Sequence, residues 1–165
     1  MAEHRESQQP VPEGFTLALA LVDAVPVLAF CLATIAFGVR LGSGLFLAGA
    51  VLATIGGAGK VSWRLVIALA HKNIPLLSRQ MRITMPLGFA VMVAGLVLAG
   101  PATATAATGL VRLPSLALLI AWILCMCTMG YLAGHRDQSS ARDNWHEQLV
   151  NATGQLCLLA AVLLA

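Results

Sequence analysis

The chain has 165 residues, 59% of them hydrophobic and only 10% charged, with a formal net charge of +3 and a mean hydropathy of +0.85. A soluble domain carries about 25% charged residues and about 45–50% apolar ones, so a water-soluble fold is excluded: one 17.2 kDa core cannot bury this much apolar surface, and lipid is its natural solvent. The basic residues have no aromatic interleaving and no nucleic-acid-binding signature, which sets nucleic acid aside as a partner.

Residues 1–13, "MAEHRESQQPVPE", hold three glutamates. A secretory signal begins basic and has a short apolar core before its cleavage site. This stretch does neither, and it reads as a disordered cytoplasmic tail ahead of a retained membrane anchor. The remainder, 14–165, reads as a single transmembrane domain.

A spanning helix needs about 20 mostly apolar residues. Residues 14–39 supply the first, interrupted by Asp23 and Pro26. Asp23 stands ten residues in, about 14 Å along a helix axis. An ionised carboxylate at that depth must be protonated, paired with a cation or hydrated in a cavity. Pro26 follows one turn later and frees a backbone carbonyl. Asp23 is therefore the first candidate for an ion or proton site.

Residues 41–59, "LGSGLFLAGAVLATIGGAG", supply the second span. Its small-residue face, Gly49-xxx-Ala53-xxx-Gly57, suits close backbone approach, either inside the bundle or as the seam of a homo-oligomer.

The stretch 60–84, "KVSWRLVIALAHKNIPLLSRQMRIT", is too broken by charge to cross by itself. At 100° per residue, Lys60, Arg64, Lys72, Arg79 and Arg82 fall on one side of a helix. The pattern predicts a basic amphipathic helix lying in the membrane interface, kinked at Pro75, that docks on anionic lipid or a cytoplasmic protein.

Residues 85–107, 113–134 and 147–165 complete five spans. Pro101 and the neighbouring threonines loosen the outer end of the third, where threonine hydroxyls can satisfy freed carbonyls. With five spans and the tail inside, the basic residues gather on the cytoplasmic side, leaving Arg40 and Arg112 opposite. A sixth span over 61–77 would spoil that asymmetry, so five is favoured. The predicted fold class is an all-α polytopic membrane helix bundle of five transmembrane helices, alternative six, with one interfacial helix.

The last span opens with polar residues at helical spacing: Asn144, Glu147 or Gln148, Asn151 and Gln155. They share one face, which must avoid lipid. Counted from the cytoplasmic surface, Asn151 and Gln155 reach a depth near that of Asp23. The predicted ion or substrate path is thus Asp23, Glu147, Asn151 and Gln155.

Tempting motifs fail on spacing. "HEQLV" puts Val150 where a zinc protease needs its second histidine, and "GGAGK" lacks the full phosphate-loop pattern. No catalytic, metal or cofactor motif is found, and the four cysteines read as small buried hydrophobes. Eight arginines against two lysines, with the alanine-leucine bias, point to a GC-rich bacterial genome. The expectation is a small bacterial inner-membrane transport or channel subunit, amino end cytoplasmic. The alternative is a non-transporting assembly protein, its polar stripe packing helices and its basic helix docking partners.

Overall fold

In the computed structural model, residues 17–70, 72, 74–135 and 141–165 are described. The expected tail, 1–13, lies outside them. Helix α1 runs Leu17–Leu41, α2 Gly44–Ala70, α3 Pro75–Ala99, the short α4 Pro101–Ala107, α5 Ser115–His135 and α6 Ala141–Leu164, with a 3-10 turn at Thr108–Val111 between α4 and α5. Five of these, all but α4, are long and apolar enough to cross a membrane. The protein is a multi-pass membrane helix bundle.

The stretch 60–84 departs from expectation. It is no interfacial helix of its own: residues 60–70 complete α2, and 75–84 begin α3. The break comes where the sequence supplies one, with Ile74 extended and Pro75 in the first turn of α3. At 27 residues, α2 is about 40 Å long against a hydrocarbon core of about 30 Å, so its last turns reach the interface without a change of direction. The third span also ends earlier than 107. Gly100, at φ +54°, turns the chain and Pro101 starts α4. The hydroxyl of Thr103 donates to the Leu96 carbonyl at 2.6 Å, the role expected of the threonines here.

Outward and inward faces are inverted relative to a soluble protein. Along α1 the exposed side chains are Leu21, Val25, Leu28, Leu32, Ile35 and Val39, spaced alternately four and three. The opposite face, with Ala20, Asp23, Ala29, Ala33 and Thr34, is buried. Large aliphatics meet lipid, while small and polar residues meet other helices.

The long helices pack in the order α3–α2–α1–α6–α5. Contact between α2 and α3 is close enough to require glycine. A Cβ at Gly88 would lie 2.5 Å from the Ala53 backbone nitrogen, one at Gly49 2.6 Å from that of Met92, and one at Gly95 2.6 Å from that of Phe46. Gly57 faces Val27 of α1. The small-residue face of the second span is thus packed from within the chain by α1 and α3. The α1–α2 corner is set by Gly42 at φ +65° and by Ser43, whose Oγ accepts from the Phe46 amide at 3.2 Å. The main apolar cluster, Leu41, Phe46, Ala50 and Met92, sits where α1, α2 and α3 meet.

Candidate functional site

Following the chain back and forth puts the start of α1, the end of α2, the start of α3 and the start of α6 at one end of the bundle. Asp23 lies six residues from the described start of α1, Arg64 six from the end of α2, and Glu147 six from the start of α6. Each is about 9 Å in from that end at 1.5 Å per residue. All three are buried: Asp23 is 2% exposed, Arg64 4% and Glu147 8%.

Arg64 Nη1 approaches Asp23 Oδ1 to 3.1 Å, and Lys60 Nζ stands 3.9 Å from the same oxygen. Of the three escapes open to an intramembrane carboxylate, the chain uses pairing with a cation. The finding corrects the sequence reading at Lys60 and Arg64. They are not a docking surface; α2 turns them inward, toward α1. Arg64 is the inner partner of Asp23, and Lys60, with a side chain 26% exposed, flanks it. Lys72, Arg79 and Arg82 are exposed at the same end of the bundle. A wheel drawn continuously through 60–84 joins two helices that run in opposite directions, which is why it merged an internal pair with an external group.

The polar face of α6 points inward, as its spacing predicts. Asn144, Glu147 and Gln148 are buried. Gln148 is fully enclosed, and neither its Oε1 nor its Nε2 has a hydrogen-bond partner. The second oxygen of Asp23, Oδ2, likewise accepts no hydrogen bond. Buried polar groups left unsatisfied cost about 1–3 kcal/mol each, so this layer is the most strained polar part of the described interior.

Asn151 and Gln155 are half-buried and lie deeper. They line a cavity of about 90 Å³ together with Pro26, Val27 and Thr54. Gln155 Nε2 donates weakly to Met126 Sδ at 3.6 Å, while its Oε1 has no partner. Asp23 is not part of this cavity wall. The predicted path residues therefore divide into two levels, Asp23 with Arg64 and Glu147 near the end, and Asn151 with Gln155 one to two turns further in.

Beyond them the interior continues. Phe30 and Phe89, edge to face at 5.7 Å between ring centres, belong both to the small cavity and to a larger one of about 310 Å³. That second cavity reaches Phe37 and Phe46, tilted pair at 5.5 Å, and its remaining wall includes Met92 and Trp122. A third, of about 570 Å³, lies at the opposite end, lined by Arg40, Arg112, Thr105 and Thr108. Residue numbers climb in step along α1 (26–30, 30–37, 40) and α6 (151–155, 158–162), so the three cavities are stacked along the bundle axis.

Sequence reasoning identified Asp23 and the α6 face but missed Arg64 as a partner. The available signal was the length of the second span: had α2 been carried through to Ala70, Arg64 would have stood inside the same end of the bundle as Asp23. Trp122 lines the larger cavity. Among the described residues, no three of His, Cys, Asp and Glu come together as a metal site. Comparison with protein families, curated proteins and solved structures finds no match to this chain.

Proposed function

We propose that the protein is a small transport subunit of the bacterial inner membrane in which Asp23 carries a proton-controlled step. The observation that supports this reading best is a carboxylate buried beside Arg64 at one end of a stack of internal cavities. A metal cation at Asp23 would have to compete with two resident cations, Arg64 and Lys60. A proton meets the same two cations but can bind at Oδ2, which accepts no hydrogen bond, and by neutralising the carboxylate it loosens the hold on Arg64. Breaking a buried pair from one side is costly, about 3–5 kcal/mol, enough to drive a two-state rearrangement.

The end bearing Lys72, Arg79, Arg82 and Arg142 faces the cytoplasm under the positive-inside rule, with Arg40 and Arg112 on the outer side. The exposed group Lys72, Arg79 and Arg82 also suits anionic lipid. The same group supports the competing reading of a membrane assembly protein, which predicts partner binding without flux.

Reconstitution into liposomes with an entrapped pH dye tests the proposal. Wild type dissipates an imposed pH gradient, and Asp23→Asn, verified as folded by circular dichroism, slows that flux at least tenfold. Equal rates in the two proteins, or no flux in wild type, remove the transport reading.

A further inference from the structure

We propose that the cavity at the end of the bundle opposite Asp23 is a binding site for a phosphate ester, its phosphate group held between the guanidinium groups of Arg40 and Arg112. The inference concerns binding alone and stands whether or not the protein transports protons.

Charge at this end is unbalanced. The sequence has no aspartate or glutamate between Asp23 and Asp137. The described acidic side chains, Asp23, Asp143 and Glu147, all stand at the Asp23 end of the bundle. Arg40 and Arg112 nevertheless share the wall of one cavity. Arg40 lies in the last turn of α1, and Arg112 follows the 3-10 turn in extended conformation. Contact between α1 and α4 holds the two regions together. Neither arginine has an ion-pair or hydrogen-bond partner among the described residues. Two like charges on one wall repel each other. The free carbonyls at the end of α1 answer Arg40 in part. Nothing equivalent answers Arg112: α5 begins three residues later at Ser115, and the positive end of its dipole disfavours a cation. An anion between the two arginines removes both conflicts.

The geometry of the donors selects the anion. Each guanidinium presents a planar fork of N–H groups that matches two oxygens at once. A carboxylate has only two oxygens, in one plane, and answers one fork. A phosphate group is tetrahedral and can answer two forks from two sides. The threonine hydroxyls in the wall do not compete as donors, because Thr105 Oγ already donates to the Pro101 carbonyl at 3.3 Å and Thr108 Oγ to the Thr105 carbonyl.

Size selects an ester over the bare ion. The cavity measures about 570 Å³, within the range of about 300–1,000 Å³ typical of organic ligands, and inorganic phosphate would leave most of it empty. Ala102 and Ala106 give the organic part an apolar wall. Two sources can bring such a group. Val111 and Leu113, on either side of Arg112, are 63% and 79% exposed, apolar side chains that suit the lipid boundary, so a phospholipid head can reach the cavity from the membrane. A soluble phosphate ester reaches it from water.

The test is equilibrium binding of radiolabelled dioctanoylphosphatidylglycerol to the purified full chain in dodecyl maltoside, with the affinity tag at the amino end. Wild type binds it saturably at one site per chain. Arg40→Gln and Arg112→Gln each weaken binding about tenfold. Arg112→Lys, which keeps the charge and loses the fork, falls between wild type and Arg112→Gln. Arg79→Gln with Arg82→Gln, at the other basic end of the bundle, binds as wild type. Competition by glycerol 3-phosphate assigns the site to soluble esters, and lack of competition assigns it to lipid heads. Unchanged affinity in both Arg40→Gln and Arg112→Gln, or displacement by dioctanoylglycerol, which has no phosphate, as effective as by the unlabelled lipid, overturns the site. Equally effective displacement by decanoate, a carboxylate, overturns the ligand class.

Discussion

The two flanks of the bundle are built on different principles. On one, α2 and α3 meet backbone to backbone, with Gly49, Gly88 and Gly95 each at a point where a single methyl would strike the opposing main chain. On the other, α5 touches the rest chiefly through α6 and leaves most of its surface outward; Leu116, Ile120, Ile123, Leu124 and Tyr131 are all exposed. Gly154 of α6 does approach α5, but what a Cβ there would meet is side chain, Cys125 and the flexible end of Met126. Gly130 and Gly134 of α5 face open space. In lipid no hydrophobic force drives helices together, so close packing supplies the attraction. The α2–α3 flank has it, whereas α5 is held chiefly by side-chain contacts with α6, and the larger cavity lies between the two flanks.

The contrast can be broken most severely at its tight side. Gly88→Leu forces a branched side chain into the Ala53 backbone and is expected to prevent assembly of the α2–α3 pair, read as loss of a monodisperse peak in detergent. Overpacking typically costs about 1–3 kcal/mol; here the cost is larger because backbone cannot move aside as a side chain can.

The middle of the bundle comes next. Asp23→Leu removes the carboxylate paired with Arg64 and is expected to destabilise by about 3–5 kcal/mol, read by denaturation in mixed micelles, whereas Asp23→Leu with Arg64→Met recovers most of that loss. A double variant as unstable as the single one would mean that Arg64 holds the fold through other partners.

At the loose side the expected effect is smallest and opposite in sign. Gly130→Ala meets no neighbour and raises helix propensity, stabilising by up to about 1 kcal/mol. If Gly130→Ala destabilises instead, α5 is more tightly held than its exposure indicates and the comparison fails.

Much of the fold was legible. The number of spans follows from hydropathy windows, and the inward face of α6 from the spacing of Asn144, Glu147, Asn151 and Gln155. The threonine repair at Leu96 followed from Pro101 and its neighbours. What misled was the basic stretch 60–84. Hydropathy charged the second span with the full penalty of Lys60 and Arg64 and ended it at 59, because a local sum cannot know that Asp23, some forty residues earlier, pairs with Arg64 and stands beside Lys60.

The sequence by itself determined the solvent this protein folds in, the helices it forms and the faces those helices turn away from lipid, because each depends on residues within a few turns of one another. Tertiary structure decided which charges neutralise each other, which glycines are indispensable and where five scattered aromatic residues close around a void. Those are distances between residues remote in the chain, and only the packing of the helices against one another sets them.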